Sequence, residues 1–259
     1  MRKIIVPLNV FQSERVIEKG QEFFIPIISE TGADGVEIRR ELLTQNDYPL
    51  TRLKNIIMDY GLFIVYSAPI PLWKRCGALN DEELNSVIHE AKELGATLIK
   101  VSLGFYQPNR SDIHHLKQLL YENGNEIHLL VENDQTSCGG SIHHLLCFFK
   151  SASIYKLPVN MTFDIGNWKY SGENVYDALH QFYKFIKYVH LKHVEIDNGK
   201  WSTLPLPLDE SAEWRRILDV LSQDLPVALE FPIENAQMIQ RYISIFRKSE
   251  KKKGVNKWM

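Results

Sequence analysis

Eight short apolar runs, each followed by a helical pattern, recur along the chain at near-constant spacing, and this alternation restricts the folds open to it. The runs begin near residues 3, 35, 62, 97, 127, 160, 188 and 226. Their mean spacing is roughly 32 residues, one-eighth of a ~250-residue barrel. Strict strand–helix alternation is the pattern of a parallel sheet, because parallel neighbours need a crossover that a helix supplies. Eight such units in 259 residues predict closure into a (β/α)8 TIM barrel, an α/β fold of one domain. No strand is followed by a G-x-G-x-x-G or P-loop glycine pattern, which argues against an open nucleotide-binding sheet.

The barrel is assigned to residues 1–247, and the Lys-rich stretch 248–259 to a basic, flexible C-terminal tail. Val16 to Ser29 reads as one helix that Pro26 kinks or ends early. Strand three is expected over Leu62–Ser67 and strand seven over Tyr188–Val194. Ser67–Leu79 and Val194–Pro207 are then the longest strand-to-helix connections, suited to act as lids. A hydrophobic fraction of 44% supplies a core, and the net charge of −2 gives no field that would favour nucleic acid or anionic lipid. No run approaches the ~20 apolar residues of a membrane span. Three widely spaced cysteines, Cys76, Cys138 and Cys147, fit neither a disulfide framework nor a zinc motif, so a reducing, cytoplasmic setting is expected. The expected partner is a small molecule, with no nucleic acid and no membrane; homo-oligomerisation stays open.

Four of the runs end in a residue able to bind metal. Leu129-Leu130-Val131 ends in Glu132, Met161-Thr162-Phe163 in Asp164, Tyr188-Val189 in His190, and Val227-Ala228-Leu229 in Glu230. In a (β/α)8 barrel the chemistry collects at the C-terminal ends of the strands. These four would occupy strands five to eight, which are consecutive staves. Three carboxylates and one imidazole, with no thiolate, suit one divalent ion: Mn2+, Mg2+, Co2+ or Zn2+.

The motifs Val131-Glu132-Asn133, Phe163-Asp164-Ile165-Gly166-Asn167, Val189-His190-Leu191-Lys192 and Leu229-Glu230 resemble, in order and spacing, the xylose isomerase-like TIM barrel superfamily. The resemblance, closest to its sugar phosphate isomerase/epimerase branch, runs from Ile4 to Phe246. It implies that Glu132, Asp164, His190 and Glu230 bind one divalent metal, and that Glu132 and Glu230 exchange protons with substrate carbons. The superfamily's endonucleases carry further histidines. Here Ser67, Gly104-Phe105 and Asn167 stand at those positions, which argues against DNA repair.

The implied activity is isomerisation or epimerisation of a sugar, keto sugar or sugar acid, phosphorylated or not, through a metal-stabilised enediolate. The alternatives are a metal-dependent lyase or dehydratase on a keto acid, or a non-catalytic ligand-binding barrel. Glu37, Arg39, Ser67, Lys100, Asn167, Lys192 and Trp168 complete the expected substrate-binding set. Glu37 and Arg39 share a strand face by period two, and Lys192 shares one with His190. Arg39 or Arg40 is expected to grip an anionic group, with an Arg39–Glu37 ion pair as the alternative. His193 falls on the face opposite His190 and is expected to be structural. Tyr66, Trp73, Phe105, Tyr106, Trp168 and Trp201 are candidates to shape the pocket.

Overall fold

The computed structural model describes residues 1–124 and 127–255, with side chains through residue 249; part of the tail assigned to 248–259 lies outside the described residues. Ten strands are present: β1 (Ile4–Pro7), β2 (Gly35–Arg39), β3 (Phe63–Trp73), β4 (Leu98–Gly104), β5 (His128–Glu132), β6 (Val159–Asp164), β7 (Ile186–Leu191), β8 (His193–Asp197), β9 (Lys200–Leu204) and β10 (Val227–Leu229). Eight of them close into a parallel barrel in the order β1-β10-β7-β6-β5-β4-β3-β2, and β8 and β9 form a separate antiparallel hairpin. Helices fill each crossover, and the last, Ala236–Val255, follows β10. Among the described residues no helix is long and apolar enough to cross a membrane.

Strand alternation separates two cores. Outward residues such as Val36, Ile38, Ile99, Val101, Leu129, Val131, Phe163, Val189 and Leu229 join the large cluster against the helices. Inward residues Ile5, Val65, Leu130, Tyr188 and Ala228, with Phe63 and Leu98 against them, fill the barrel interior. Fully burying one such aliphatic or aromatic side chain contributes about 1.5–3 kcal/mol. The interior cluster is one layer of a barrel core, and it forms the floor of the mouth. Two residues beyond Leu98, Leu130 and Tyr188 the inward positions become Lys100, Glu132 and His190, and Glu37 stands two beyond Gly35 on β2, so the polar site is built on the apolar floor by the period of the strands themselves.

Three local expectations change. The expected helix Val16–Ser29 divides into Ser13–Lys19 and Phe24–Ser29 at Gly20, whose φ of 77° is left-handed, while Pro26 is accommodated in the first turn of the second helix. Strand three continues through Pro69 and Pro71 to Trp73, after a register shift between Ser67 and Pro71. Strand seven stops at Leu191, and the expected lid after it is the β8–β9 hairpin, turned by Asn198 (φ 49°) and Gly199 (φ 77°).

Candidate metal and substrate site

Glu132, Asp164 and His190 lie at the tips of β5, β6 and β7, and Glu230 directly follows β10. One ligand-capable atom from each of the four lies within 4.8 Å of all the others. His190 Nδ1 is 2.9 Å from Glu230 Oε2, 3.4 Å from Glu132 Oε1 and 3.8 Å from Asp164 Oδ2. The register explains the convergence: His190 pairs with Asp164 on one side and Ala228 on the other.

Asp164 is fixed by its neighbours. Its Oδ1 accepts from the backbone N–H groups of Gly166 and Asn167, both at 2.9 Å. Its peptide is clamped by the Asn133 amide, which accepts from Asp164 N at 2.8 Å and donates to Asp164 O at 2.9 Å. Oδ2 is therefore left to face the site, where it has no aligned hydrogen-bond donor. Lys192 Nζ stands 2.7 Å from it as an ion pair and 3.0 Å from Glu230 Oε2. Gly166 makes room for this lysine, since a Cβ there would come within 2.5 Å of Lys192 Cγ.

Beneath these ligands lies Glu37, fully buried. It accepts from His190 Nε2 and Tyr188 OH, both at 2.9 Å, and from Arg39 Nη1 at 2.8 Å, with Lys100 Nζ at 3.3 Å. Arg39 Nη1 also reaches Glu230 at 3.2 Å, and Lys100 reaches Glu132 at 2.9 Å. Burial opposes the charge on Glu37, but Lys100, His190 and Arg39 outweigh it and hold this carboxyl well below its ordinary range. Glu230 is likewise held well below, by Lys192, His190 and Lys100 against burial. Asp164 goes the other way. Burial, reinforced by Glu230 and Glu132 against the pull of Lys192, pushes it up to about 7. The His190 imidazole is raised to about 9: burial and Lys100 oppose its charge, and Glu37 and Glu230 prevail. Burial works against the charges of Arg39, Lys100 and Lys192, yet the carboxylates around them keep all three above their ordinary range.

A cavity of about 450 Å3 opens over this set, walled by Arg39, Glu132, Asn167, Lys192, Glu230 and Phe231, among others. Of the expected substrate-binding residues, Arg39, Asn167 and Lys192 line it, whereas Glu37 and Lys100 lie below as ion-pair partners. Ser67 is buried beside Arg39 and Lys100 in the register, its Oγ without a partner. Trp168 is placed in the core: its ring stacks on Phe182 at 6.0 Å and tilts against Phe163 at 5.5 Å. Arg40 points away from the mouth to Glu83 and Glu90, and Tyr66 OH also reaches Glu90. Trp73 and Tyr106 pack on each other, Trp201 packs on Tyr170 in the hairpin, and Phe105 lies in a neighbouring groove. His193 pairs with Glu195 rather than with the ligand cluster.

Sequence reasoning passed over Asn9, whose Nδ2 donates to Glu230 Oε1 at 3.0 Å, as well as Tyr188, Asn133 and Phe231. Asn9 and Phe231 carried a usable signal, since each follows a barrel strand at its C-terminal end.

The barrel is similar in fold to several solved structures. The L-ribulose 3-epimerase structure superposes with a TM-score of 0.70 at 16% identity, covering 96% of this chain and 97% of that one. The 3-keto-D-glucoside 4-epimerase YcjR of E. coli gives 0.64 at 18%, covering 96% and 100%. The probable 3-DHS dehydratase AsbF of Bacillus anthracis gives 0.69 at 13%, covering 95% and 99%. No curated protein matches the sequence. The sequence matches the family model of the xylose isomerase-like TIM barrel over residues 25–248, and the chain belongs to that family.

Proposed function

We propose that this chain is a divalent-metal-dependent isomerase or epimerase of a sugar, keto sugar or sugar acid. The observation that carries the reading is the convergence of Glu132, Asp164, His190 and Glu230 within 4.8 Å, two of which, Glu132 and Glu230, line a cavity. The residues fit a metal on their own chemistry: three carboxylates and an imidazole form a hard, mixed O/N set, and Asp164 Oδ2 is a buried oxygen faced by a cation, the Lys192 ammonium, rather than by a neutral donor. A bound divalent ion would supply Lewis-acid stabilisation of negative charge developing on substrate oxygens.

The protein's own groups account for the rest of the reading. Glu132 and Glu230 sit at the two ends of the ligand arc, β5-β6-β7-β10, and so approach a substrate carbon from different sides. Glu230 is held ionised and so carries no proton at neutral pH, the state a general base needs. Removal on one face with return on the other inverts a centre; return to the adjacent carbon isomerises. Arg39, Asn167 and Lys192 line the cavity wall and orient polar groups of the substrate, while Phe231 offers an apolar face.

The test is Glu132→Gln and Glu230→Gln, followed by NMR of solvent deuterium entering candidate keto sugars at saturating Mn2+. Each variant is expected to bind Mn2+ with a modest loss and to turn over at least ~100-fold more slowly. Near-wild-type turnover in both would assign the proton transfer to other residues. A product that has lost water would assign elimination instead.

A further inference from the structure

Lys192 reaches into the ligand cluster. Its ammonium bridges Asp164 Oδ2 (2.7 Å) and Glu230 Oε2 (3.0 Å), and it has no other partner among the described residues. Both oxygens belong to the four-residue ligand cluster. An ammonium and a divalent ion cannot share the same two oxygens, because like charges at contact repel strongly in a buried setting. Lys192 also lines the cavity, so its ammonium borders open space into which it can turn. Across the cavity, the Nη1 and Nε of Arg39 are engaged by Glu37, Glu230 and Glu41, and its Nη2 has no partner among the described residues.

Charge counting points the same way. The buried carboxylates of Glu37, Asp164 and Glu230 and the partly buried one of Glu132 face three cations, Arg39, Lys100 and Lys192. In the loaded site, where a ligating imidazole is neutral, the protein groups sum to one negative charge and the divalent cation brings the total to one positive. Glu41, at the exposed end of Arg39, and Asp134, folded onto Thr136, stand at the rim where water screens them. A neutral sugar would leave the loaded mouth with an unbalanced buried charge; a monoanion balances it.

We propose that Lys192 is an exchangeable internal counter-ion: it leaves the Asp164–Glu230 pair when the divalent ion binds and then, together with Arg39, anchors an anionic group of the substrate, most simply the carboxylate of a sugar acid. This rests on the metal-dependent reading above. It makes acid preference a property of the metal-loaded protein alone.

The experiment uses the full chain and a matched pair of probes, D-gluconate and D-glucitol, titrated calorimetrically into wild type, Lys192→Met and Lys192→Arg, each with and without Mn2+. Mn2+ titrated alone into each protein comes first. Wild type with Mn2+ is expected to bind gluconate at least ~10-fold more tightly than glucitol, the scale of one charge-assisted contact. The preference is expected to vanish without Mn2+ and in Lys192→Met, and to return in Lys192→Arg. Lys192→Met is expected to bind Mn2+ alone at least ~10-fold more tightly, because the competing ammonium is gone. An equal preference in Lys192→Met, an equal preference in metal-free wild type, or no preference in loaded wild type overturns the inference while leaving the metal reading intact. Failure of wild type and Lys192→Met alike to bind Mn2+ removes the metal reading itself, and this inference with it.

Discussion

Glu37 Oε2 accepts from His190 Nε2 at 2.9 Å, while Nδ1 of the same imidazole turns to Glu230, Glu132 and Asp164. Because Glu37 is held ionised and can only accept, Nε2 keeps its proton, and Nδ1, once it gives up its own, is the nitrogen that would take a metal. Glu37→Gln removes that constraint while keeping the volume. The expected result is a ~10- to 100-fold loss of Mn2+ affinity, with the 15N shifts of His190 showing a change of tautomer. An unchanged affinity with unchanged shifts would reduce Glu37 to packing.

Arg40 and Arg39 are neighbours with separate tasks. Arg40 holds Glu83 and Glu90 on the outside of the barrel, partly exposed. Arg40→Ala should cost roughly 1 kcal/mol or less in urea unfolding and leave kcat/KM untouched. Arg39→Ala, which strips a partner from buried Glu37 and Glu230, should lower both stability and kcat/KM.

Trp168 packs in the helix layer against Phe163 and Phe182, without a place in the cavity wall. Trp168→Ala is expected to destabilise by ~3–5 kcal/mol, read by denaturant midpoint. Trp168→Phe should recover most of the stability with KM unchanged. A KM shift in Trp168→Phe at wild-type stability would return this ring to the substrate.

The metal-free protein should lose stability as pH rises. His190 is raised from 6.5 to about 9 and Asp164 from 3.8 to about 7, so the native state holds more protons than the unfolded chain across this interval. Where the native state binds the extra protons, stability falls with increasing pH. The His190 contribution is full below 6.5 and lost as pH rises through about 9; that of Asp164 is full below 3.8 and lost through about 7. Glu37 and Glu230, both lowered, are already ionised in native and unfolded states above 4.5 and add no slope in this window. Melting of chelator-treated protein between mildly acidic and mildly alkaline pH should show a falling Tm, and Mn2+ should flatten the curve by holding the ligands deprotonated.

The barrel was readable because each stave is an apolar run whose outward half packs on helices, as in Leu129-Leu130-Val131. The turn after it arrives where a carboxylate replaces the next inward apolar residue. The four ligands were readable for the same reason. The hairpin was not read, although Asn198-Gly199 between alternating residues is a type I′ signal; its strands lie outside the barrel and lack an apolar run. The extension of β3 was hidden by Pro69 and Pro71, which read as a turn. Arg40 and Trp168 were misplaced because following a strand end does not by itself fix which way a side chain points. Arg40 begins a 3-10 turn and Trp168 is the second residue of the short helix Asn167–Tyr170, where the period changes. The Glu37–His190 contact joins residues 153 positions apart, which no local pattern could show.

The Asn133 clamp on Asp164 has a consequence for how such a site can change. The amide acts as a gauge block between two neighbouring staves, setting the gap between Glu132 and Asp164 from the first residue past the strand. The residues that wall the cavity above, such as Gln135, Thr203 and Pro232, sit beyond that block. Rewriting those loops would therefore alter which molecule is admitted while the spacing of the ligands stays as the strands set it.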